Sequence, residues 1–424
     1  MKSLSFKTVL ISVLLSGAAS AATVDELLQD LKSPEEGQRL TALDELADYG
    51  QEGLTEKEGL KILEAAKLTY GPAGDYSVNA QLLADLRKDP KPSYIKPIVG
   101  MFADLDIDAK WYALDILTRF KDNKDALKTY VGLVGKHSAA LDSLPVRYLK
   151  DQTEYVNVFF PELFKYTRNP ALQFDIYDLA LSFLYDEKMS QKVLRDNEKQ
   201  ILNDYQALSV KLKPVQQPTG TDWRYNRPYR TDRYFGGLML DLIGFLNTPA
   251  ANTVLKDALK YSDPHLKGWA AISLIFNKQT VPAADIQAVA DSNDMRFTFY
   301  DYLERADRLD LFPEQYRNQQ SLAQSDLAHW LTYPDELGYE PASVEYVQTF
   351  SEEGKDGKMN YYLFKFTDRD GKAYAGLSGP FYQAEEPTIQ GGGSTFSNYT
   401  EWDKLSPAGH YEDIMKAVNG EGEA

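Results

Sequence analysis

No cysteine occurs in the 424 residues. Its absence excludes disulfides, thiolate zinc sites and an acylated N-terminal cysteine as an anchor. Histidine is scarce, with four scattered copies (His137, His265, His329, His410) and no His-Glu-x-x-His pair, so no metal site is expected. Nor does a Gly-x-Ser-x-Gly nucleophile elbow occur. Basic residues fall short of acidic ones, 46 against 63, for a formal net charge of -17. That balance argues against nucleic acid or an anionic membrane as partner and favours cationic or neutral ones. Beyond the N-terminal segment no apolar run approaches the roughly 18 residues that span a bilayer.

The N-terminus has Lys2 and Lys7 ahead of an apolar run, Val9 to Leu15, followed by Ala19-Ser20-Ala21. This is the pattern of a secretory signal peptide over residues 1–21. The expectation is an exported, soluble protein, periplasmic or extracellular. Export without cysteine in a chain of this size has a bacterial look.

From Val24 to about Leu331, apolar residues recur at helical spacing between short turns. In Asp106-Ile-Asp-Ala-Lys110-Trp-Tyr-Ala113 an acid precedes a cation by four positions, and a small residue follows three later. Asp263-Pro-His-Leu-Lys267-Gly-Trp-Ala270 repeats the spacing. Looser copies run from Ser33-Pro34 to Arg39 and Ala42, from Asn169-Pro170 to Gln173 and Ile176, and at Arg296 with Phe299. The acid, Ser or Asn caps a helix, proline fits its first turn and the small residue permits close packing. Other amphipathic helices are expected to precede these, over Tyr94 to Phe102, Tyr155 to Tyr166 and Asn252 to Tyr261. Asp106, Lys110, Asp263 and Lys267 are expected to serve as caps and inter-helix contacts, with His265 facing solvent.

The pattern resembles the HEAT family of helical repeats, in which an antiparallel helix pair carries an Asp-Pro-x-Val-Arg-like start to its second helix. The resemblance covers about 300 residues in patches. It implies a mainly α fold, an α-solenoid of stacked helix pairs whose surface binds other molecules. Its two halves would occupy residues 22–212 and 237–340.

After Tyr339 the pattern changes. Ser343 to Phe350, Met359 to Thr367 and Lys372 to Leu377 are rich in aromatic and β-branched residues and are separated by Gly- and Asp-rich turns. They predict a three-stranded antiparallel meander, then a glycine-rich loop (Gln390 to Ser394) and a helix from Pro407 to Val418, forming a small α+β module over 341–424. Asp368-Arg-Asp-Gly371 opens like a calcium loop, but the twelfth position is Gly379, where a bidentate glutamate is needed. A hairpin turn is the simpler reading. The glycines at 391–393 lack the lysine of a phosphate loop.

One stretch stands apart. Residues 213–236 open on a polar, proline-containing break, Lys213 to Pro218, and then interleave arginine with aromatic rings: Trp223, Arg224, Tyr225, Arg227, Tyr229, Arg230 and Arg233. The expected loop, with the next helix starting near Arg233, is longer than most connections in compact domains. Its side chains either pair with the abundant acids or form a surface of planar donors for a protein, peptide or acidic glycan partner.

No catalytic residue and no cofactor are expected. The reading is an exported, non-catalytic scaffold or adaptor that binds a protein or peptide. The alternative is binding or cleavage of an acidic polysaccharide, because helical toroids followed by β-domains are similar to some exported polysaccharide lyases. That likeness implies roles for Tyr225, Asn226, Arg227 and Tyr229.

Overall fold

Side chains that accept backbone N–H groups set most helix starts. Thr23 and Thr55 form reciprocal capping boxes with Glu26 and Glu58, and Asp106, Asn226, Asp263, Asn318 and Ser406 cap later helices. Each cap satisfies one of the four N–H groups that a helix start leaves without a partner. The computed structural model describes residues 22–75, 77–212, 222–355, 357–389 and 394–419, and of Glu52, Asp222 and Trp223 the backbone only. The expected signal peptide and the glycines at 391–393 lie outside the described residues.

The chain divides into two units, Met1–Asp175 and Ile176–Ala424. The first contains α1 (Val24–Asp30), α2 (Glu36–Glu52), α3 (Glu56–Ala65), α4 (Val78–Asp85), α5 (Ile95–Met101), α6 (Ile107–Thr118), α7 (Lys124–His137) and α8 (Val156–Phe159). Here α2 packs on α4 and α4 on α6, while α1, α3 and α7 pack beside them. The helix expected from Tyr155 to Tyr166 is broken. Phe160 is extended ahead of Pro161, and a 3-10 turn, Glu162–Tyr166, follows. Proline disfavours helical backbone in the residue before it and supplies no N–H.

Helix α9 (Pro170–Tyr185) holds the boundary, and the second unit continues with α10 (Gln191–Asp196), α11 (Glu198–Leu212), α12 (Arg227–Leu246), α13 (Pro249–Ala258), α14 (Pro264–Phe276), α15 (Ala283–Asp291), α16 (Arg296–Arg305), α17 (Gln319–Trp330) and α18 (Pro407–Val418). Again alternate helices touch, α12 on α14 and α14 on α16. The α12–α14 crossing is close because α12 carries glycine at the contacts. A Cβ at Gly237 would lie 2.4 Å from His265 Nε2, and one at Gly244 2.6 Å from Ser273 Oγ.

The cations at these spacings are engaged inside the protein. Buried Arg39 donates to the carbonyls of Ser33, Pro34 and Pro72. Lys110 donates to the Leu105 carbonyl. Arg296 donates to Ala290, Asp291 and Ser321. Each cation thus satisfies carbonyls of the segment just before its helix, and Arg39 and Arg296 each reach one further along the chain as well, at Pro72 and Ser321. Lys267 instead bridges to Asp285 on α15 at 2.9 Å.

The C-terminal sheet has four antiparallel strands in the order β1 (Ser343–Gly354), β2 (Gly357–Thr367), β3 (Ala373–Tyr382) and β4 (Ser394–Asn398). This corrects the expected three. The fourth is a five-residue edge strand that pairs with β3 from Gly379↔Ser394 to Ala375↔Asn398, and its composition, Ser-Thr-Phe-Ser-Asn, gives little strand signal of its own. Helix α17 packs on one face, where a Cβ at Gly376 would run into Leu327. On the other face Ile414 of α18 closes a core with Tyr361, Leu363, Ala375 and Leu377. With both faces covered, β2 reads as a nearly continuous apolar run. The Asp368 carboxylate accepts from the N–H groups of Asp370 and Lys372, which makes the β2–β3 connection a side-chain-capped hairpin turn.

Candidate functional site

Helix α12 begins at Arg227, six residues before the expected start, because Asn226 caps it and Pro228 occupies its first turn. The arginine-aromatic segment is therefore a 3-10 turn, Asp222–Tyr225, running into a helix. Its side chains are largely spent on the protein itself. Arg233 is bidentate to Asp263, at 2.9 and 2.7 Å, and reaches Asp294 at 2.5 Å. Tyr229 donates to Asp263 at 2.6 Å. Arg230 donates to the Gly338 carbonyl and Arg224 to that of Pro341, with Glu340 beside Arg224 at 3.9 Å. Tyr225 meets Tyr339 edge-on.

Three arginines thus tie the start of α12 to α14, to the turn before α16 and to the segment leading into the sheet. Only Arg227 among the four is exposed. The Trp223 side chain lies outside the described residues. Of the residues implied by the lyase likeness, Asn226 and Tyr229 are held in structural hydrogen bonds. His265, expected to face solvent, is tucked against Asp294 at 3.7 Å and between Tyr234 and Trp269. The close α12–α14 crossing sets its ring against Gly237 of α12 and leaves the side chain 13% exposed.

Electrostatics in this cluster follow from burial. Burial raises the Asp294 carboxyl, but Arg233 and His265 outweigh it and hold the group well below the usual carboxylate range. Glu340 goes the other way, pushed up to about 7 by burial and by the neighbouring Asp294 charge.

A cavity in the second unit lies at the other end of α12. It has a volume of about 550 Å³ and is bounded by the ends of α9, α12 and α14 and by Tyr302 of α16. Its walls are aromatic. Tyr185 stands edge-on to Phe245 with ring centroids 5.1 Å apart, and Tyr302 is edge-on to both Tyr185 and Phe276. Tyr185 and Phe276 are 42% and 49% exposed, so a solute can reach both rings.

The buried Asp241 carboxylate lies within this aromatic surround. It accepts from the Tyr185 hydroxyl at 2.9 and 2.7 Å, and that hydroxyl is also 3.0 Å from the hydroxyl of Tyr302. Among the described residues no lysine, arginine or histidine forms an ion pair with Asp241 or lines the cavity; the other ionisable carboxylate there is Glu187. Burial pushes Asp241 up to about 7, with the Tyr185 hydrogen bond opposing the rise. Burial and the adjacent Asp241 keep the Tyr185 hydroxyl firmly protonated.

Sequence reasoning missed this site because its three polar members come from three helices. One signal was present. Asp241 is the single charged residue between Arg233 and Lys256, set in the apolar run Gly-Gly-Leu-Met-Leu-Asp-Leu-Ile-Gly-Phe-Leu. A lone carboxylate on the buried face of a helix needs a reason to be there.

Among the described residues no group of three or more His, Asp or Glu is placed to hold a metal ion, and no helix is long and apolar enough to cross a membrane. No family model, curated protein or solved structure matches the chain.

Proposed function

We propose that this chain is an exported, non-catalytic binding protein of HEAT-like helix pairs, and that it receives a partner's side chain or a small ligand in the Tyr185–Asp241–Tyr302 cavity. The observation that carries the reading is the cavity itself: concave, aromatic-walled and provided with a buried polar group that fixes orientation. The contacts of α2 with α4 and of α4 with α6, and likewise of α12 with α14 and of α14 with α16, support a repeat architecture within each unit. The arginine-aromatic segment serves as structural framework in this reading, since its ionic contacts are made inside the protein.

Methyl-labelled protein tests it. Leu184, Met189 and Ile272 line the cavity and are local reporters. Screening a library of peptides and small metabolites should give ligands that shift these three methyls in the wild type and not in Tyr302→Ala. Ligands whose shifts map elsewhere on the chain would remove the cavity from the proposal.

A further inference from the structure

Resting on that reading, we infer that the cavity selects an alkylammonium group, one positive charge on a short aliphatic stem.

The first argument is charge. The ionisable groups lining the cavity other than tyrosine are both carboxylates, Asp241 inside and Glu187 among the exposed residues. A buried carboxylate is ordinarily paired with a cation. Asp241 has tyrosine hydroxyl where a cation would be expected, so a ligand that supplies the missing charge gains from a group already desolvated.

The second argument is shape and surface. Tyr185, Phe245, Phe276 and Tyr302 enclose the cavity from α9, α12, α14 and α16, and their faces carry the negative part of the ring quadrupole. Cations with little hydration favour such enclosures, and alkylated ammonium groups favour them most. Leu184, Met189 and Ile272 supply apolar surface for the stem. A neutral sugar would also find aromatic platforms here, but it would leave the buried carboxylate without its counter-charge. An anionic ligand would meet two carboxylates and no cationic side chain in the described lining, the nearby Arg305 being paired with Asp301.

The ionisable groups around Asp241 set the pH response. They are Tyr185 from α9, Glu187 just beyond it, and Tyr302 from α16, with Arg305 one turn further on, its guanidinium 5.4 Å over the Tyr302 ring and paired with Asp301 at 2.7 Å. The α14 wall presents Ser273, Phe276 and Asn277, none of which titrates in the working range. Burial keeps part of the Asp241 population neutral near pH 7. Affinity for an ammonium group therefore rises from pH 6 to pH 8, where the carboxylate completes its ionisation.

The same group can arrive as a free amine or as a lysine side chain on a polypeptide. The test titrates full-length protein with n-butylammonium, tetramethylammonium, putrescine and N-acetyl-lysine methylamide, with n-butanol and methyl glucoside as neutral controls. Leu184, Met189 and Ile272 methyl shifts are followed at pH 6 and pH 8. The expected result is saturable shifts with one or more ammonium probes and about tenfold weaker binding in Asp241→Asn. Phe276→Ala, at a half-exposed ring, provides a second weakened variant should the buried substitution unfold. Tighter binding of putrescine than of the lysine derivative identifies a free amine as the source, and the reverse order a polypeptide. Equal shifts with n-butanol or methyl glucoside, undiminished in Asp241→Asn, would overturn the ammonium assignment and leave the cavity a binding site. Silence from every probe would overturn both.

Discussion

The hydroxyls of Tyr185 and Tyr302, 117 positions apart in the chain, lie 3.0 Å from each other, and the first of them also donates to the Asp241 carboxylate. Because Tyr185 is the hydrogen-bond donor to that buried group, its removal is felt at Asp241. Tyr185→Phe is expected to cost about 1–3 kcal/mol, the range for a buried polar group left without its partner. The loss should be larger at pH 8, where Asp241 would be ionised, than at pH 5. Urea denaturation at the two pH values checks this, and an equal loss at both would contradict it.

Asp241→Asn should remove a pH dependence. The folded-state carboxyl is raised to about 7 from an ordinary value near 3.8. Between those values the native chain holds a proton that the unfolded chain has released, so this group's contribution to stability falls as pH rises from about 4 to about 7. Asn stays neutral throughout. Relative to wild type, the variant should gain stability across that window, by up to a few kcal/mol at pH 8. Asp85 is also raised to about 7, mainly by burial, and Glu340 likewise, so the wild-type slope will be reduced and not abolished. A variant whose stability tracks wild type in parallel from pH 4 to pH 8 would refute the assignment.

Two arginines of one segment should behave oppositely. Arg233→Ala strips the counter-charge from Asp263, which is buried, and from Asp294, 10% exposed, and is expected to cost about 3–5 kcal/mol. Arg227→Ala, at an exposed position, should stay within about 0.5 kcal/mol of wild type. Chemical denaturation of the pair separates a structural ion cluster from a free surface, for which the two changes would look alike.

Glycine substitutions probe the α12–α14 crossing. Gly237→Ala brings a methyl within 2.4 Å of His265 Nε2 and 2.7 Å of Trp269, so it should destabilise by about 1–3 kcal/mol. Gly132→Ala, inside α7 with nothing within 4 Å of the added carbon, should stabilise by about 0.5–1 kcal/mol through helix propensity. Thermal melts of both variants provide the comparison.

A fragment beginning at Pro341 should not fold. It keeps α18 and so the core around Ile414 and Leu377, but it lacks α17. Losing α17 exposes the other sheet face and strands Tyr362, whose hydroxyl donates to Gln319 at 2.9 Å, and Thr395, which donates to Asp326 at 2.5 Å. Extending the fragment back to Asn318, the cap of α17, should restore cooperative unfolding by circular dichroism; a cooperative melt from the shorter fragment would show the sheet to be self-sufficient.

Local chemistry was readable in the sequence. The caps at Asp106 and Asp263, the limits of α18 and the first three strands follow from short-range rules of helix capping, apolar period and turn composition. The start of α12 was written there too, in Asn226-Arg-Pro228, although the density of arginine and rings drew the reading toward a loop. What three-dimensional packing alone decided was the fate of side chains whose partners lie far along the chain. Arg233 finds Asp263 and Asp294, 30 and 61 positions away, and so becomes framework. Asp241 meets tyrosines delivered by α9 and α16 and becomes the polar centre of a cavity. Charge and ring content along a sequence give the supply of such groups, but burial and the crossing of helices determine which of them neutralise one another and which are left facing open space.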